Sequence, residues 1–563
     1  MDKRTIVGIV VIVLIILAMP FYQKWVAGTI KKPLEESDTT SVKTPELTSA
    51  QDSIKPVQTI SEQETATVLQ DSAAPAQSKI PLKEIVVISD KFTVRLSTLG
   101  GDVRSIKLKG IASRDSGGIE LAPNLLGGPN CEFVATIDGK LVSTAGVRFT
   151  ADRDTIELSE NRTTDAVTMV GVAPDGTMFQ RRYEFEYGSY HFFQKMFIVS
   201  ADSTKIIQDA TLWWKSGLVP TEKDYKGDIS DFAATYHYGE EISHQKASKK
   251  HPTVAHDGST DWIGTRSKYF AVAMMPDKPN SAGGLRINSI WYRTDSSSAE
   301  IPIVQVALYH RVGESRFMNS YMFYAGPRDH FILKNYGRNL KRLVDLGWFW
   351  LAPITQFLLW FFELLYKIIP NYGWVIILFT LLMKVILTPF SSSQLKSMRR
   401  IKELQPQIRS IQERFRDEPQ KMNAEVMRIY KKEKVNPIAG CLPLLAQMPI
   451  FFALYRALAG GFQFRAQPFV FWIKDLSQRD PYFVLPILMA ATMFIQQKIS
   501  VTDPSQKMMT YMMPVIFLFF FYNMPAGLVL YWTVFNILSF AHMLWLEKKW
   551  SQEKEGNMLT ITT

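Results

Sequence analysis

The sequence predicts a two-part membrane protein, a helical bundle of six spans with a large all-β domain inserted between the first span and the second. Three observations predict it. Apolar character is segregated: mean hydropathy over the chain is −0.02, yet residues 348–390 and 437–546 are densely apolar and aromatic. Residues 81–335 carry short β-branched and aromatic runs separated by turn signals. Positive charge is concentrated between two apolar stretches, with twelve Lys or Arg against six acids from Ser391 to Asn436, about half of the net charge of +11. At 563 residues the chain exceeds one ordinary domain.

The N-terminus reads Met-Asp-Lys-Arg followed by an unbroken apolar run from Ile6 to Met19. No small-x-small cleavage site follows closely, and Phe21, Tyr22 and Trp25 suit an interfacial aromatic belt, so residues 1–28 read as an uncleaved anchor rather than a signal peptide. Lys3 and Arg4 put its start in the cytoplasm. Residues 29–80, rich in Ser, Thr, Gln, Glu and Pro, bury too little apolar surface to offset ordering and read as a flexible linker.

Across 81–335, runs such as Glu84–Ile88, Phe92–Leu96, Val103–Leu108, Arg181–Tyr187, Phe192–Val199 and Ile303–Tyr309 predict strands. Gly100-Gly101, Asp138-Gly139, Pro174-Asp175-Gly176 and Gly283-Gly284 predict turns. The reading is a sandwich of antiparallel strands. No metal-spaced His/Cys cluster and no phosphate-cradling Gly loop stands in it, and Cys131 and Cys441 are too few for a disulfide framework.

Residues 336–370 contain Trp348–Ile369, apolar but carrying Glu363 and Lys367, which predicts a helix lying in the membrane interface. The second span occupies 371–390, and four further spans lie within 437–546: Ile438–Leu458, Tyr482–Gln497, Met508–Tyr522 and Gly527–Leu546. Residues 391–436 form a cytoplasmic basic helical hairpin, its two apolar repeats broken at Asp417-Glu418-Pro419, and 547–563 form a cytoplasmic tail. This order places the basic hairpin inside, as the positive-inside rule requires; the inverted bundle would translocate it.

The sharpest single residue is Lys384. A charge at mid-bilayer costs about 2.5–3.5 kcal/mol, so such a residue either faces a polar interior or snorkels toward the cytoplasmic end. Thr380 shares its helical face, Gln447, Gln496 and Gln497 lie in or at the ends of other spans, and the last span carries Tyr531, Trp532, Thr533, Asn536 and Ser539. Such a set is either interhelical glue or the lining of a shared hydrophilic cavity. A cation without an intramembrane acid suits an incoming anion. The absence of a phosphate-binding loop, a nucleophile elbow or paired membrane carboxylates leaves an ATP-driven pump or an intramembrane protease without support.

Several strings resemble one family. Asn371-Tyr-Gly-Trp-Val-Ile-Ile, Lys384 with Pro389-Phe390, Glu433-Lys-Val-Asn-Pro437, Gly440 through Tyr455, Asp480 through Met489 and Met524 through Trp532 resemble the YidC membrane protein insertases. Thr98-Leu-Gly-Gly101, Lys268-Tyr-Phe270 and Gly326-Pro327 resemble them more weakly. The resemblance, to the Gram-negative form, implies a periplasmic β-supersandwich and a five-span core in the bacterial inner membrane. It implies no enzyme and no cofactor. Instead, a hydrophilic groove open to cytoplasm and lipid helps newly made inner-membrane proteins insert and fold, alone or with the Sec translocon.

In that family a cation at the position of Lys384 attracts acidic residues of a substrate's translocating tail; the usual residue is Arg, so charge is kept here but the bidentate fork is lost. Thr380, Tyr531 and Trp532 fall at groove positions, beside Gln447 and Asn536, and Leu445, Phe452, Met509 and Phe517 are expected to offer an apolar slide for the substrate helix. Arg399, Arg400 and Lys402 are the expected contacts to the ribosome and signal recognition particle machinery, with topology and solubility as the alternative role of that charge. The competing class is a transporter or channel for a small anion with a periplasmic receptor domain; the absence of inverted repeats and paired broken helices speaks against it.

Overall fold

A computed structural model of the chain describes residues 81–112, 118–222, 225–293, 300–433, 435, 442–500 and 507–561. The anchor expected at 1–28 and the linker at 29–80 lie outside the described residues. Of the described residues, Ile411–Val426 fall in one unit and the remainder in another.

The described residues of the larger unit contain two sheets. The smaller has five strands, in the order Ile119–Glu120, Asp102–Leu108, Phe92–Ser97, Glu84–Ile88, Thr155–Glu157. All its neighbours are antiparallel except the last pair. The larger runs Lys140–Ser143, Cys131–Ile137, Ile207–Trp214, Glu300–Glu314, Ala282–Arg293, Thr253–Arg266, Phe270–Pro276, Arg316–Pro327, His191–Val199, Met178–Glu186, Thr164–Val172, Phe149–Ala151, with Ala233–Tyr238 and Glu241–Lys246 beside it. The alternation read from the sequence is realised. Phe179, Tyr183 and Phe185 point inward from one strand and Phe192, Met196 and Ile198 from its neighbour, and one apolar core continues from Ile85 through Phe133 to Phe323.

Phe270–Pro276 is buried along its whole length, because a second core covers the other face of the sheet there. Leu333 from the short helix His330–Lys334, with Leu340 and Leu343, packs on Trp262, Ala271 and Tyr324 in that core.

Arg181 occupies an inward position, yet both of its terminal guanidinium nitrogens are hydrogen-bonded. It donates to Gly101 O at 3.0 Å, Cys131 O at 3.1 Å and Thr144 Oγ1 at 3.0 Å. Gly101, at φ +59°, is needed for this contact, since an added Cβ would lie 2.9 Å from Arg181 Cδ. Beside it Asp102 accepts from the backbone of Asn130 at 3.1 Å and Cys131 at 2.7 Å, tying the small sheet to the large one. Burial dominates over those bonds and pushes the Asp102 carboxyl up to about 6.

Gly283-Gly284 is not a turn but lies inside Ala282–Arg293. A Cβ at Gly284 would meet His256 O at 2.7 Å, so glycine there permits close approach of the neighbouring strand.

The helices are numbered in chain order: α1 Tyr225–Ile229, α2 His330–Lys334, α3 Ala352–Tyr366, α4 Tyr372–Arg414, α5 Pro419–Lys432, α6 Leu442–Gly460, α7 Val484–Ser500, α8 Lys507–Phe521 and α9 Ala526–Ile561. Among the described residues two stretches are long and apolar enough to cross a membrane, Tyr372–Pro389 in α4 and Ala526–Gln552 in α9; Ala352–Tyr366, Val484–Ile499 and Tyr511–Phe521 are shorter apolar helices. Helix α3 buries Leu358, Leu359, Phe362 and Leu365 and exposes Phe357, Trp360 and Leu364, so large apolar side chains stand on both of its faces beside Gln356 and Glu363. Helix α7 packs on α8 and α9, and α6 on α3 and α9.

Two expected boundaries are not breaks in the chain's course. Helix α4 runs without interruption from the second span through residues 390 and 391 to Arg414, taking Pro389 and Pro406 into its length, and α9 continues past residue 547 to Ile561. Pro419 opens α5, as its fixed φ favours.

The β domain meets the bundle through polar contacts at one end. Arg465 Nε lies 2.7 Å from Glu222 Oε1, both side chains almost fully buried. Arg465 Nη1 also donates to Ala112 O at 2.6 Å. Tyr269 OH donates to Ala459 O at 3.2 Å, and Arg456 pairs with Asp345 at 3.1 Å. Burial raises the Asp345 carboxyl, but Arg456 and the Gly347 N–H outweigh it and hold the group down to about 2.

Candidate functional site

Lys384 is 8% exposed on the face of α4 that turns toward α9. Its Nζ donates to Ser539 Oγ at 2.9 Å and stands 5.2 Å from the centroid of the Phe535 ring. Among the described residues no carboxylate lies within ion-pair distance of it. The stem therefore reaches across to a neighbouring helix instead of snorkelling to the helix end, and the charge is solvated by a hydroxyl and an aromatic face without being neutralised.

Around this cation the seam between α4 and α9 is polar. One turn beyond Ser539, His542 Nε2 lies 3.4 Å from Ser392 Oγ of α4. The Asn536 Nδ2 and His542 Nδ1 atoms are buried without a hydrogen-bond partner among the described residues. A buried donor left open is costly, which makes this seam receptive to an acceptor from outside. Thr388 Oγ1 donates back to Lys384 O at 2.6 Å, and Thr380 Oγ1 to Ile376 O at 2.6 Å, so these hydroxyls are spent on their own helix.

A second group forms above it. Gln447 Nε2 of α6 donates to Tyr531 OH at 3.1 Å, and Tyr531 lies between Phe379 and Phe535 at ring distances of 5.9 and 6.0 Å. Trp532, on the other side of α9, is edge-on to Phe451 at 5.4 Å and tilted against Phe521 at 5.5 Å and Phe517 at 6.2 Å. Phe517 is thus buried in an aromatic cluster. Phe452 is half-buried and edge-on to Trp348 at 6.1 Å. Leu445 and Met509 fall on α6 and α8, where their side chains lie outside those described.

Lys384, Thr380, Tyr531, Asn536 and Gln447 are therefore gathered on the facing sides of α4, α6 and α9, while Trp532 lies among Phe451, Phe517 and Phe521. Ser539, read from the sequence as one of the polar residues of the last span, joins the seam, and Phe535, His542 and Ser392 join it without having been singled out. The signal was present: Phe535, Ser539 and His542 stand at i, i+4 and i+7, one helical face.

Of the expected ribosome contacts, Arg399 pairs with Glu403 at 3.1 Å and lies over Trp550 at 5.0 Å, while Arg400 and Lys402 are exposed. Among the described residues no group of three His, Cys, Asp or Glu side chains could hold a metal ion.

The described chain thus combines a helical core holding a buried cation with a large β-sandwich at one end. Comparison with known proteins gives this combination a family. Residues 364–554 match the family described as 60Kd inner membrane protein, and 84–361 match the YidC periplasmic domain. A membrane protein insertase YidC from Syntrophus aciditrophicus is 31% identical over 492 residues, 85% of this chain and 87% of that protein. One from Prosthecochloris aestuarii is 30% identical over 585 residues, covering 97% and 95%. A solved active YidC insertase with its first transmembrane domain resolved aligns over 82% of this chain and 92% of its own at 19% identity, with a TM-score of 0.36. The chain belongs to the YidC family of membrane protein insertases, inner-membrane proteins with a periplasmic domain.

Proposed function

We propose that this chain inserts newly made membrane proteins by drawing their polar tails into the seam between α4 and α9. The observation that carries the reading is Lys384: buried, solvated by Ser539 and Phe535, and without a paired carboxylate among the described residues. An acidic tail entering the seam supplies the missing counter-charge. Meanwhile Asn536 and His542 offer open donor or acceptor atoms. The penalty of carrying polar groups through hydrocarbon, several kcal/mol per group, is thereby reduced, and partition of the substrate's apolar helix into lipid completes the step without nucleotide.

The six crossings belong to this reading: the anchor at 1–28, the second span in α4, and four further spans at α6, α7, α8 and α9. The basic stretch 391–436 then faces the cytoplasm and the β domain the periplasm. Phe452, Leu445, Met509 and Phe517 are carried forward as slide residues, with Phe517 acting through the aromatic cluster that backs the slide. Arg400 and Lys402, exposed and cationic, are the better-placed contacts for a ribosome or the signal recognition particle machinery, and the Sec translocon is the partner for larger substrates.

A photoreactive residue at Phe535 or Asn536 tests the reading. Cross-links to the acidic tail of a stalled nascent membrane protein are expected, and cross-links only to lipid would contradict it.

A further inference from the structure

The connection from α6 to α7, residues 465–483, is tied to the first residues of both long spans. Asn371 Nδ2, just before α4, donates to Pro468 O at 3.3 Å. At the start of α9, Ala526 N and Gly527 N donate to Gln478 O at 2.6 Å and Leu476 O at 2.9 Å. The connection therefore lies at the level where Tyr372–Pro389 and Ala526–Gln552 begin.

Its tip is tightly built. Phe469 N donates to Ile473 O at 2.9 Å and Ile473 N to Val470 O at 3.2 Å. Buried Asp480 accepts from Trp472 Nε1 at 2.9 Å and from the backbone of Tyr482 and Leu485 at 3.0 and 2.8 Å. This frame holds Phe471 at φ +55° and 90% exposed, with Trp472 stacked beside it at 5.9 Å. A left-handed backbone is disfavoured for an aromatic residue, and an aromatic ring in water stabilises nothing. A rigid turn that maintains both is explained if the ring is buried by something outside the chain.

What adjoins it is the lipid-facing surface of the spans. Trp374, in the first turn of α4, is exposed and its ring lies 5.5 Å from Phe469; Tyr482 is exposed at the other end of the connection. Lys474 and Arg479 are exposed on the same segment, whereas its acids are engaged: Asp475 accepts from Ser477, and Asp480 is buried. Aromatic rings flanked by exposed cations, Arg479 donating only to the neutral Asn523 at 3.2 Å, match the chemistry of the bilayer interface, with its apolar chains below and phosphates above. We propose that residues 465–483 form a membrane-interface anchor in which Phe471, Trp374 and Tyr482 enter the headgroup layer and Lys474 and Arg479 meet lipid phosphates. The proposal rests on the reading that Tyr372–Pro389 and Ala526–Gln552 cross the membrane.

The test uses the full chain in vesicles of phosphatidylethanolamine and phosphatidylglycerol, with Cys441→Ser as background and Cys131 left unlabelled in the β core. An environment-sensitive fluorophore is attached at Phe471→Cys, at Tyr482→Cys and, as a control, at Val385→Cys, an exposed mid-span position. Expected is strong quenching of the first two by lipids carrying a nitroxide near the headgroup, weak quenching by aqueous iodide, and quenching of the control by a nitroxide deep in the chains. Iodide quenching at 471 and 482 with a lipid-quenched control overturns the anchor while leaving the spans intact. Protection of 471 from both quenchers places protein there and also overturns it. A control that lipid cannot quench removes the spanning reading on which the anchor rests.

Discussion

Lys384 owes its position to two helices, one carrying the ammonium and the other supplying Ser539 and Phe535 to solvate it. The charge was legible in the sequence because a lone Lys in an apolar stretch is costly; its partners were legible only as one face of α9, since nothing local says that this face meets α4. Asn536 allows stability and function to be separated. Its Nδ2 is buried without a partner among the described residues, so Asn536→Leu should leave thermal stability in detergent unchanged or raise it by up to about 1 kcal/mol, while insertion falls. A large loss of stability would show that the amide is structural.

Asp102 predicts a pH effect of defined sign. Its folded pKa, pushed up to about 6 by burial, lies above the ordinary 3.8, so its contribution to stability is present below pH 4 and is lost as pH rises through 6. Buried His310, lowered by burial to about 4, acts in the opposite direction over nearly the same window. The parent alone therefore hides the effect, and the difference between Asp102→Asn and parent reveals it. That difference should shift in favour of the variant by roughly 2–3 kcal/mol from pH 4 to pH 7, read from unfolding midpoints of the β domain. A difference independent of pH would contradict the buried carboxyl account.

At the scale of elements, alternation and turn chemistry made the strands legible. Glu84–Ile88 has the expected bounds, and Asp138-Gly139 and Gly176 adopt positive φ as turn residues should. Gly283-Gly284 misled because a glycine pair that lets strands approach closely looks, in sequence, like one that turns the chain. The continuity of α4 was hidden for a similar reason. A change from apolar to basic marks a change of solvent, and the backbone crosses it without a break. Pro389 and Pro406 lie within the helix, and neither ends it.

A close contact accompanies the Asn371 cap at the start of α4. Gly373 lies against Phe469, whose ring an added Cβ would meet at 1.9 Å. Gly373→Ala should cost about 1–3 kcal/mol through overpacking, and adding Phe469→Ala should return most of it. Thermal melts of the two single variants and the double variant check this; additive losses would mean that the two residues do not press on each other.

For the whole molecule, the β domain is coupled to the bundle by the buried Arg465–Glu222 pair, a few further polar contacts and Phe462 packed on Phe270. Asp228, accepting from Thr221, Glu222 and Lys268 backbone N–H groups, folds the loop that presents Glu222 to Arg465. This pairing joins residues 243 positions apart, beyond any reading of local pattern. Removing one partner leaves the other charge buried, at a cost on the order of 3–5 kcal/mol. Arg465→Met should therefore loosen the junction, seen as faster hydrogen exchange around Tyr269 and Phe462, with the core of the β domain unaffected. Unchanged exchange there would mean that the ion pair does not hold the domain.

The same scale sets the most direct test of the insertion account. Proteoliposomes holding only this chain, or its Lys384→Ala or Lys384→Arg variant, are given a single-span protein with an acidic tail, and tail protection from protease is measured. The account predicts that the parent and Lys384→Arg insert the protein and that Lys384→Ala loses most insertion of the acidic tail while still inserting a neutral one. Equal insertion by the parent and Lys384→Ala would contradict charge capture by the buried cation.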